Sequence, residues 1–485
     1  MALQNQIQLI TYPDSLGQNL ADLENVLNNR FNGCFGGIHI LPFYPSSGDR
    51  GFAPLTYDAV DPAFGDWQNL ERLASRYDLV YDFMINHLSR RSPEMLDFLE
   101  HKDESPYQDM FLRFSRFWPH GEPTADDVAR IYKRKPKVPC VEVTFADGSR
   151  DKIWCTFSDE QFDLDMGSQT ARAFMRRSLE TLVRRGARLI RLDAFAFAIK
   201  KPGTSCFFLE PEMWDLLEDA ATIVRQAGAD VLLEMHDHYS IQLELSRRGY
   251  LVYDFVLPIM VLHTLVQGDG DRLKAWLQIC PRHQITTLDT HDGMGVVDVK
   301  DLLSDQDIEQ IITHLLNRGA NIKWSFKEHA TQDSVLDAYQ MNATYYSALG
   351  EDDGAYLLAR AIQFFTPGIP QVYYVGLLAG RNDLERYQRT GLLTDVNRHG
   401  FTLEEVDEAC ARPVVRALAR LMQLRNQCRA FDGELIIPET PANILHLIWN
   451  QGPNQAELTA NLQTHAFRAS FDNQTFSSED LALFS

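Results

Sequence analysis

The 485-residue sequence lacks long apolar runs, paired cysteines and an excess of basic residues. No stretch approaches the ~20 consecutive apolar residues of a membrane-spanning helix. The 46 Lys and Arg are outnumbered by 67 Asp and Glu, which gives a formal charge of −21. Such a charge repels nucleic acids and anionic membranes, so we expect neither as a partner.

Cysteine usage and the N-terminal residues indicate the compartment. There is no C-x-x-C pair, which argues against a disulfide framework or a zinc site. The start, MALQNQIQLI, has no basic region followed by an apolar core, as a secretory signal would. We therefore expect a cytoplasmic protein. No metal-ligand constellation and no glycine-rich phosphate loop is evident in the sequence, so we expect no metal or other cofactor. The seven cysteines are Cys34, Cys140, Cys155, Cys206, Cys280, Cys410 and Cys428.

The apolar residues, 45% of the chain, are grouped in a way that predicts the fold class. Short apolar runs, each followed by a helix-like segment such as 171–185, are typical of buried parallel strands. Eight such units predict a (β/α)8 TIM barrel, with a doubly wound open sheet as the alternative. The eight runs are 8–10, 37–41, 79–83, 188–192, 231–234, 251–255, 285–288 and 369–374.

The spacing of these runs is uneven, which predicts insertions. About a hundred residues separate the third and fourth runs, far more than an ordinary connection. We expect 87–167 to be an inserted domain over the barrel mouth, with strands at 141–145 and 153–157. A second insertion, 294–349, is predicted to be mostly helical with a polar loop at 324–333. The barrel would then comprise 1–86, 168–293 and 350–433, ending near the helix 413–427, and 434–485 would form a small C-terminal β-sheet domain.

Three carboxylates follow apolar strands. They are Asp193 in RLIRLDAF, Glu234 in VLLEMHD and Asp292 in TTLDTHDG. The carboxyl ends of barrel strands surround one mouth, where the active sites of this architecture lie. A single acid in this position can instead cap the next helix. Three acids, with Arg191 near the first and His291 beside the third, indicate a catalytic site.

Four motifs in order carry a family resemblance: DFMINH at 82–87, RLD at 191–193, LLE at 232–234 and THD at 290–292. They resemble the strand-end motifs of the α-amylase superfamily, glycoside hydrolase family 13. Further stretches, among them GIHILPFYPSSGDRGF and PGIPQVYYVGLLAG, are similar to its sucrose phosphorylase subfamily. The resemblance implies phosphorolysis of sucrose to α-glucose 1-phosphate and fructose by a retaining double displacement, with transglucosylation and slow hydrolysis.

The resemblance also implies roles for the carboxylates. Asp193 would be the nucleophile, Glu234 the acid/base, and Asp292 would hold sugar hydroxyls and favour the transition state. Retaining transfer requires nucleophile and acid/base about 5 Å apart. Arg191 shares a strand face with Asp193 by two-residue alternation and would help to keep it ionised.

A glucose pocket is implied as well. Asp49 and Arg398 would hold the far hydroxyls of the ring and exclude longer chains. At Phe197, where relatives often have an aromatic hydroxyl, a hydrogen bond is lost but the stacking face is kept. The other implied residues are His87 and His291 as donors to ring hydroxyls, Phe52 and Phe157 as an apolar wall, and Gln161 towards the acceptor.

The acceptor side carries the subfamily signature Leu-Asp-x-Tyr-Gln at Leu336, Asp337, Tyr339 and Gln340. Relatives acting on sucrose 6'-phosphate tend to have a histidine at the position of Tyr339, and those acting on glucosylglycerol lack the acid of Asp337. These positions favour sucrose. Sucrose 6'-phosphate, glucosylglycerol and glucosylglycerate phosphorylases stay open as alternatives, because much of the N-terminal third equally resembles the sucrose 6'-phosphate enzymes.

The run RIYKRKPKVP, 130–139, concentrates positive charge in an acidic chain. A phosphorylase must bring phosphate to a site rich in carboxylates, and basic side chains counter that repulsion with charge-assisted hydrogen bonds. The resemblance implies such a residue in this loop, with Arg134 and Lys135 as the two candidates. The other basic residues, Arg130, Lys133 and Lys137, are expected to be solvated.

Two further expectations concern assembly and class. A homodimer is possible. From another class, the fold could serve as a non-catalytic carbohydrate-binding scaffold, since fold alone does not fix function. The intact set of Asp193, Glu234 and Asp292 argues against the scaffold.

Overall fold

The centre of the molecule is a closed barrel of eight parallel strands, in a computed structural model that describes residues 3–324, 336 and 338–484. Each strand pairs with its neighbours in chain order, and the eighth closes against the first. The predicted (β/α)8 barrel and its eight strands are confirmed. They are Gln8–Thr11, Gly37–Ile40, Asp78–Met84, Ala187–Asp193, Asp230–Leu233, Leu251–Asp254, Gln284–Thr286 and Ile369–Tyr373.

The barrel interior changes from apolar to polar along the strands. Near the strand starts, six aliphatic side chains pack with Tyr253 and Phe255 into one buried cluster. Two residues further along lie Asp82 and Arg191, which are in register on neighbouring strands. Because side chains alternate along a strand, Asp193 follows on the same face at the mouth. The six aliphatic residues are Val80, Leu189, Leu232, Leu251, Ile285 and Ile369.

Helices surround the barrel. Gln169–Arg184, predicted as 171–185, begins after Ser168, whose side chain accepts hydrogen bonds from two backbone N–H groups, and it buries Phe174, Leu179 and Leu182 against the strands. The others packed on the barrel are Leu20–Asn29, Trp67–Ala74, Glu212–Gln226, Tyr239–Arg247, Leu257–Gln267, Asp271–Ile279, Asp353–Phe365 and Pro413–Gln427. Shorter helices after the eighth strand are Tyr374–Leu377, Leu384–Thr390 and Leu403–Ala411.

Between the third and fourth barrel strands the chain forms two small antiparallel pairs. His87–Ser89 pairs with Gln161–Asp163, and Cys140–Thr144 forms a hairpin with Arg150–Trp154. The basic run lies just before this hairpin. The helices of the segment are Pro93–His101, Phe114–Phe117 and Ala125–Arg130.

The segment after the seventh strand contains a sheet as well as helices. Met294–Gly295, Ala338–Asn342 and Asn321–Trp324 form three antiparallel strands, beside the helices Asp305–Leu316 and Tyr345–Ala348. The prediction of a mostly helical segment therefore needs correction. Its strands pair over long sequence separations, which local periodicity cannot detect. Except for Trp324, the predicted polar loop lies outside the described residues.

The C-terminal region is a five-stranded antiparallel sheet, as predicted. In Ile444–Gln451 the side chains of Leu445, Leu447 and Trp449 are buried while their neighbours are partly exposed, which is the alternation of a sheet with one covered face. The other strands are Glu434–Ile436, Asn454–Asn461, Phe467–Phe471 and Gln474–Ser477. Short 3-10 helices are Asp49–Gly51, Lys102–Glu104, Phe195–Phe197, Val297–Val299, Leu393–Asn397, Arg429–Asp432 and Ser478–Phe484.

A search of the described residues for membrane-crossing elements found no helix with both the length and the apolar character required.

Candidate active site

The three candidate carboxylates lie together at the carboxyl end of the barrel. Asp193 is the last residue of the fourth strand, Glu234 directly follows the fifth, and Asp292 lies in the loop after the seventh. All three line one cavity. A carboxylate oxygen of Glu234, one of Asp292 and a ring nitrogen of His236 lie within 4.8 Å of one another. The fold thus brings together acids that are up to a hundred residues apart.

Arg191 links two of these acids, Asp193 and Glu234, to a third acid inside the barrel, Asp82. One terminal nitrogen lies 3.3 Å from Asp193 Oδ1 and also pairs with Asp82, while the other lies 2.7 Å from Glu234 Oε1. The side chain is 3% exposed, so water screens these contacts little. One guanidinium therefore holds three carboxylates in fixed positions.

Asp82 supports Arg191 within the polar layer of the barrel. His39 Nε2 lies 2.9 Å from Asp82 Oδ2, and both side chains are completely buried. Burial alone would raise the pKa of Asp82, but His39 and Arg191 outweigh it and lower that pKa to about 2. The carboxylate of Asp82 is thus permanently charged at physiological pH and competes for the charge of Arg191.

The nucleophile candidate has a raised pKa. Burial and the adjacent Glu234 carboxyl raise the pKa of Asp193 well above its ordinary value, although Arg191 acts in the opposite direction. Arg191 thus acts in the expected direction, but burial and the neighbouring Glu234 outweigh it at Asp193.

Asp292 is kept ionised by its surroundings. Burial opposes its charge, but His291, Lys323 and Arg398 together lower the pKa of Asp292 far below its ordinary value. Burial also lowers the pKa of His291 to about 3, so this ring is neutral at physiological pH. The positive charge near Asp292 is therefore supplied mainly by Lys323 and Arg398.

The far end of the cavity is formed by Asp49 and Arg398. Arg398 Nη1 lies 3.9 Å from Asp49 Oδ1, and Nη2 lies 3.6 Å from Asp292 Oδ1. Asp49 and Arg50 both have positive φ, 48° and 45°, an uncommon conformation for residues other than glycine. Arg50 secures this turn, because its guanidinium donates to Asp14 at 2.6 Å. The loop thus presents the Asp49 carboxylate, 50% exposed, towards the mouth.

An aromatic and amide wall lines one side of the cavity. The ring of Phe52 stacks on His291 at 5.1 Å, with an interplanar angle of 6°. The carbonyl of Phe52 accepts a hydrogen bond from Gln161 Nε2 at 2.9 Å and lies 2.9 Å from His87 Nε2. Burial lowers the pKa of His87, so it acts as a neutral donor. Phe157 packs edge-on against His87 at 5.5 Å. The predicted wall is therefore assembled as one hydrogen-bonded unit.

The basic loop and the LDAYQ signature meet at the same cavity. The guanidinium carbon of Arg134 lies 4.1 Å above the ring centre of Tyr339, and both residues line the cavity with Gln340. A cation over an aromatic face is attracted by the ring quadrupole. This contact brings the inserted segment after the third strand to the segment after the seventh.

The predicted residues Lys135 and Leu336 do not line this cavity. The ammonium of Lys135 lies 2.9 Å from Asp159 Oδ1 and 3.0 Å from Cys155 Sγ. Leu336 is partly buried and packs against the main core. Asp337 lies outside the described residues.

Several cavity residues were missed by the sequence analysis. His236 lies two residues after Glu234, so strand alternation could have indicated it. Its ring stacks on Phe255 at 3.7 Å, and Nδ1 lies 3.4 Å from Asp298 Oδ2. Lys323, in the stretch NIKW, carries no motif that could have found it. The remaining missed lining residues are Ala194, Ala196, Phe207 and Met235.

Glu234, His236 and Asp292 have the donor types and spacing that could hold a metal ion. The charges around them oppose this. Arg191 lies 2.7 Å from Glu234, and Lys323 and Arg398 line the same cavity. A divalent cation would have to displace or tolerate these positive groups, so the geometry alone does not make a metal centre.

Comparison with known proteins places the chain in a family. The profile described as alpha amylase, catalytic domain, matches residues 34–235. A sucrose phosphorylase from Streptococcus mutans is 48% identical over 99% of this chain and 100% of that protein. A glucosylglycerol phosphorylase from Marinobacter adhaerens is 42% identical over 97% of each chain.

The fold of this chain is closely similar to that of a solved structure. The crystal structure of sucrose 6F-phosphate phosphorylase from Thermoanaerobacter thermosaccharolyticum has a TM-score of 0.96 and 41% identity, and the match covers 98% of this chain and 99% of that one. The chain therefore belongs to the α-amylase family, glycoside hydrolase family 13, and is an enzyme of its sucrose phosphorylase subfamily.

Proposed function

We propose that this enzyme transfers the glucosyl group of sucrose to inorganic phosphate with net retention, giving α-glucose 1-phosphate and fructose. One observation carries the proposal: Arg134 lines the same cavity as Asp193, Glu234 and Asp292. Within the described residues no carboxylate lies within the 4 Å of an ion pair from its guanidinium. A hydrolase has no need of such a cation, whereas a phosphate acceptor among carboxylates does.

In the first step the two carboxyl groups have different tasks. Asp193, ionised, attacks the anomeric carbon, and the bond from that carbon to the fructosyl oxygen breaks. Glu234 gives its proton to the departing oxygen, so fructose leaves as a neutral alcohol.

In the second step phosphate attacks the same carbon from the face that fructose has left. The bond to Asp193 breaks, and Glu234 takes up the proton that the acceptor releases. Two inversions give net retention. Water or a sugar hydroxyl can replace phosphate in this step, which accounts for the expected slow hydrolysis and transglucosylation.

The far end of the cavity supports a donor with a single glucosyl unit. Arg398 bridges towards Asp49 and Asp292, and its Nε donates to the carbonyl of His291 at 2.7 Å. The hydroxyl groups at the far end of one glucosyl ring can form hydrogen bonds with these polar groups, whereas a longer sugar chain would have to displace the polar groups. Asp292 would accept hydrogen bonds from ring hydroxyls and stabilise the oxocarbenium-like transition state.

Sucrose 6'-phosphate is a second candidate donor. The guanidinium of Arg134 that serves free phosphate could equally bind a phosphate on the fructosyl ring. The 41% identity with the sucrose 6F-phosphate phosphorylase supports this candidate, and Tyr339 in the LDAYQ signature favours sucrose. Glucosylglycerol and glucosylglycerate phosphorylase activities are weaker alternatives.

One experiment tests the proposal directly. Sucrose, sucrose 6'-phosphate, glucosylglycerol and glucosylglycerate are each incubated with enzyme and phosphate, and glucose 1-phosphate is assayed. We expect the highest kcat/KM with sucrose. Release from sucrose 6'-phosphate alone would contradict the sucrose assignment, and no release from any donor would contradict a phosphorylase.

Two variants test the roles of the acids. Glu234→Gln should lower turnover of sucrose by about 100- to 10,000-fold, the usual contribution of a general acid–base. Asp193→Asn should lower it at least as much. Glu244→Gln, an acid on the following helix, is the matched control and should retain normal turnover. Circular dichroism should show unchanged folding for all three.

We further propose that the enzyme acts in the cytoplasm. All seven cysteines are free thiols, which is compatible with a reducing compartment.

A further inference from the structure

Lys323 is the cavity cation that the proposed mechanism does not use. It lies on the strand Asn321–Trp324, opposite Gln340 in register on the strand Ala338–Asn342. Its ammonium lies 5.9 Å from the ring centre of Tyr339, and Arg134 lies 4.1 Å above the same ring. Two positive groups from different segments therefore meet around one tyrosine on the acceptor side.

Neither cation forms a close ion pair with a described residue, although Asp292 lies near Lys323. No carboxylate of this part of the chain lies within 4 Å of the ammonium of Lys323 or the guanidinium of Arg134. Burial and the neighbouring Arg134 lower the pKa of Lys323, which reflects the cost of holding two positive charges together. An anion between them would remove this cost.

The chemistry of the two groups is complementary. A guanidinium binds two oxygens of a tetrahedral anion through parallel N–H donors, whereas an ammonium acts as a point charge with freely rotating donors. Both groups lie close to the ring of Tyr339. Phosphate could thus present two oxygens to one cation, a third to the other and its fourth to the anomeric carbon.

We infer that Lys323 and Arg134 together form a two-cation clamp for the phosphate acceptor, in which Lys323 is a binding residue. The inference rests on the proposed function, since the occupant is the phosphate of that reaction. The alternative is that Lys323 only supports the charge of Asp292, which lies near it. A clamp affects phosphate alone, whereas support of Asp292 affects transfer to every acceptor.

Kinetics with two acceptors separate these roles. In Lys323→Met we expect the KM for phosphate to rise about 10- to 100-fold, the usual effect of losing a hydrogen bond to a charged group. Transfer from sucrose to glycerol, a neutral acceptor, should stay within twofold. Lys323→Arg should recover part of the phosphate affinity. Lys137→Met, an exposed lysine of the basic run, is the matched control and should change neither.

The possible results have distinct meanings. An unchanged KM for phosphate would overturn the inference, and an equal loss with phosphate and glycerol would assign Lys323 to Asp292 instead. Isothermal titration calorimetry measures the binding of inorganic phosphate to Asp193→Asn, with and without Lys323→Met, and so tests the clamp without turnover. If the wild type made no glucose 1-phosphate, the proposed function would fail, while weaker phosphate binding on loss of Lys323 would still support the clamp.

Discussion

Lys200 gives the most quantitative prediction, because it ties three parts of the site together. Its ammonium donates to Asn86 at 2.8 Å and to the carbonyl of Phe197 at 2.6 Å, and it pairs with Asp163 at 2.7 Å. The side chains of Lys200 and Asp163 are 2% and 0% exposed. Asn86 follows the third strand, Asp163 belongs to the inserted segment, and Phe197 lines the cavity.

Replacing Lys200 by Met leaves a buried carboxylate without its cation. Breaking a buried ion pair in this way costs about 3–5 kcal/mol. An unfolding entropy of ~2.1 cal/mol/K per residue over the 485 residues gives ~1 kcal/mol/K, so Tm should fall by about 3–5 °C in one cooperative transition. The value of kcat/KM for sucrose should also fall, since Phe197 and the inserted segment lose their common anchor.

The neighbouring lysine supplies the control. Lys201 pairs with Glu212 on the surface and is 47% exposed, so Lys201→Met should change stability by no more than about 0.5 kcal/mol. The double variant Lys200→Met with Asp163→Asn removes the orphaned charge and should recover part of the loss. Differential scanning calorimetry measures all four proteins. Equal Tm values for the two lysine variants would refute the reasoning.

Three further predictions follow from the site. With α-glucosyl fluoride as donor and azide as acceptor, Asp193→Gly should release the inverted product, β-glucosyl azide. Glu234→Ala should release the retained product, α-glucosyl azide. NMR of the products identifies the anomer, and the reverse pattern would exchange the two roles. Besides burial and Glu234, the charge of Asp82 raises the pKa of Asp193, so Asp82→Asn should shift the acidic limb of the kcat/KM profile, which reports ionisation of the nucleophile, to lower pH; a shift to higher pH would contradict the charge assignment. Lys135→Met should leave the KM for phosphate within twofold in initial-rate assays, because Asp159 holds that ammonium; a rise like that expected for Lys323→Met would place it in the clamp.

Much of the site was predictable because its acids follow strands. A buried parallel strand is a continuous apolar run, and the residue after it must lie at the mouth, so Asp193 and Glu234 could be located from their neighbours alone. The proposed glucose pocket followed only from the family motifs, since Asp49 and Arg398 have no periodic signal. Among the described residues of that pocket, each predicted side chain lines the cavity or contacts a residue that does.

Contacts between distant segments could not be predicted in this way. Lys200 and Asn86 are 114 residues apart, and nothing in either local sequence indicates the other. The strand Asn321–Trp324, which carries Lys323, forms only by pairing with Ala338–Asn342, so a helical prediction for that region was wrong in part.

The sequence by itself determined the barrel, its C-terminal sheet and the order of the acids, because those depend on the composition and periodicity of short runs. The tertiary structure decided how charge is shared at the site. It placed one guanidinium, Arg191, among the three carboxylates of Asp82, Asp193 and Glu234, so that these acids share one positive charge. It also gave Arg134 and Lys135 different surroundings. The direction of each side chain in a loop depends on its contact partners, and only the folded chain supplies those partners.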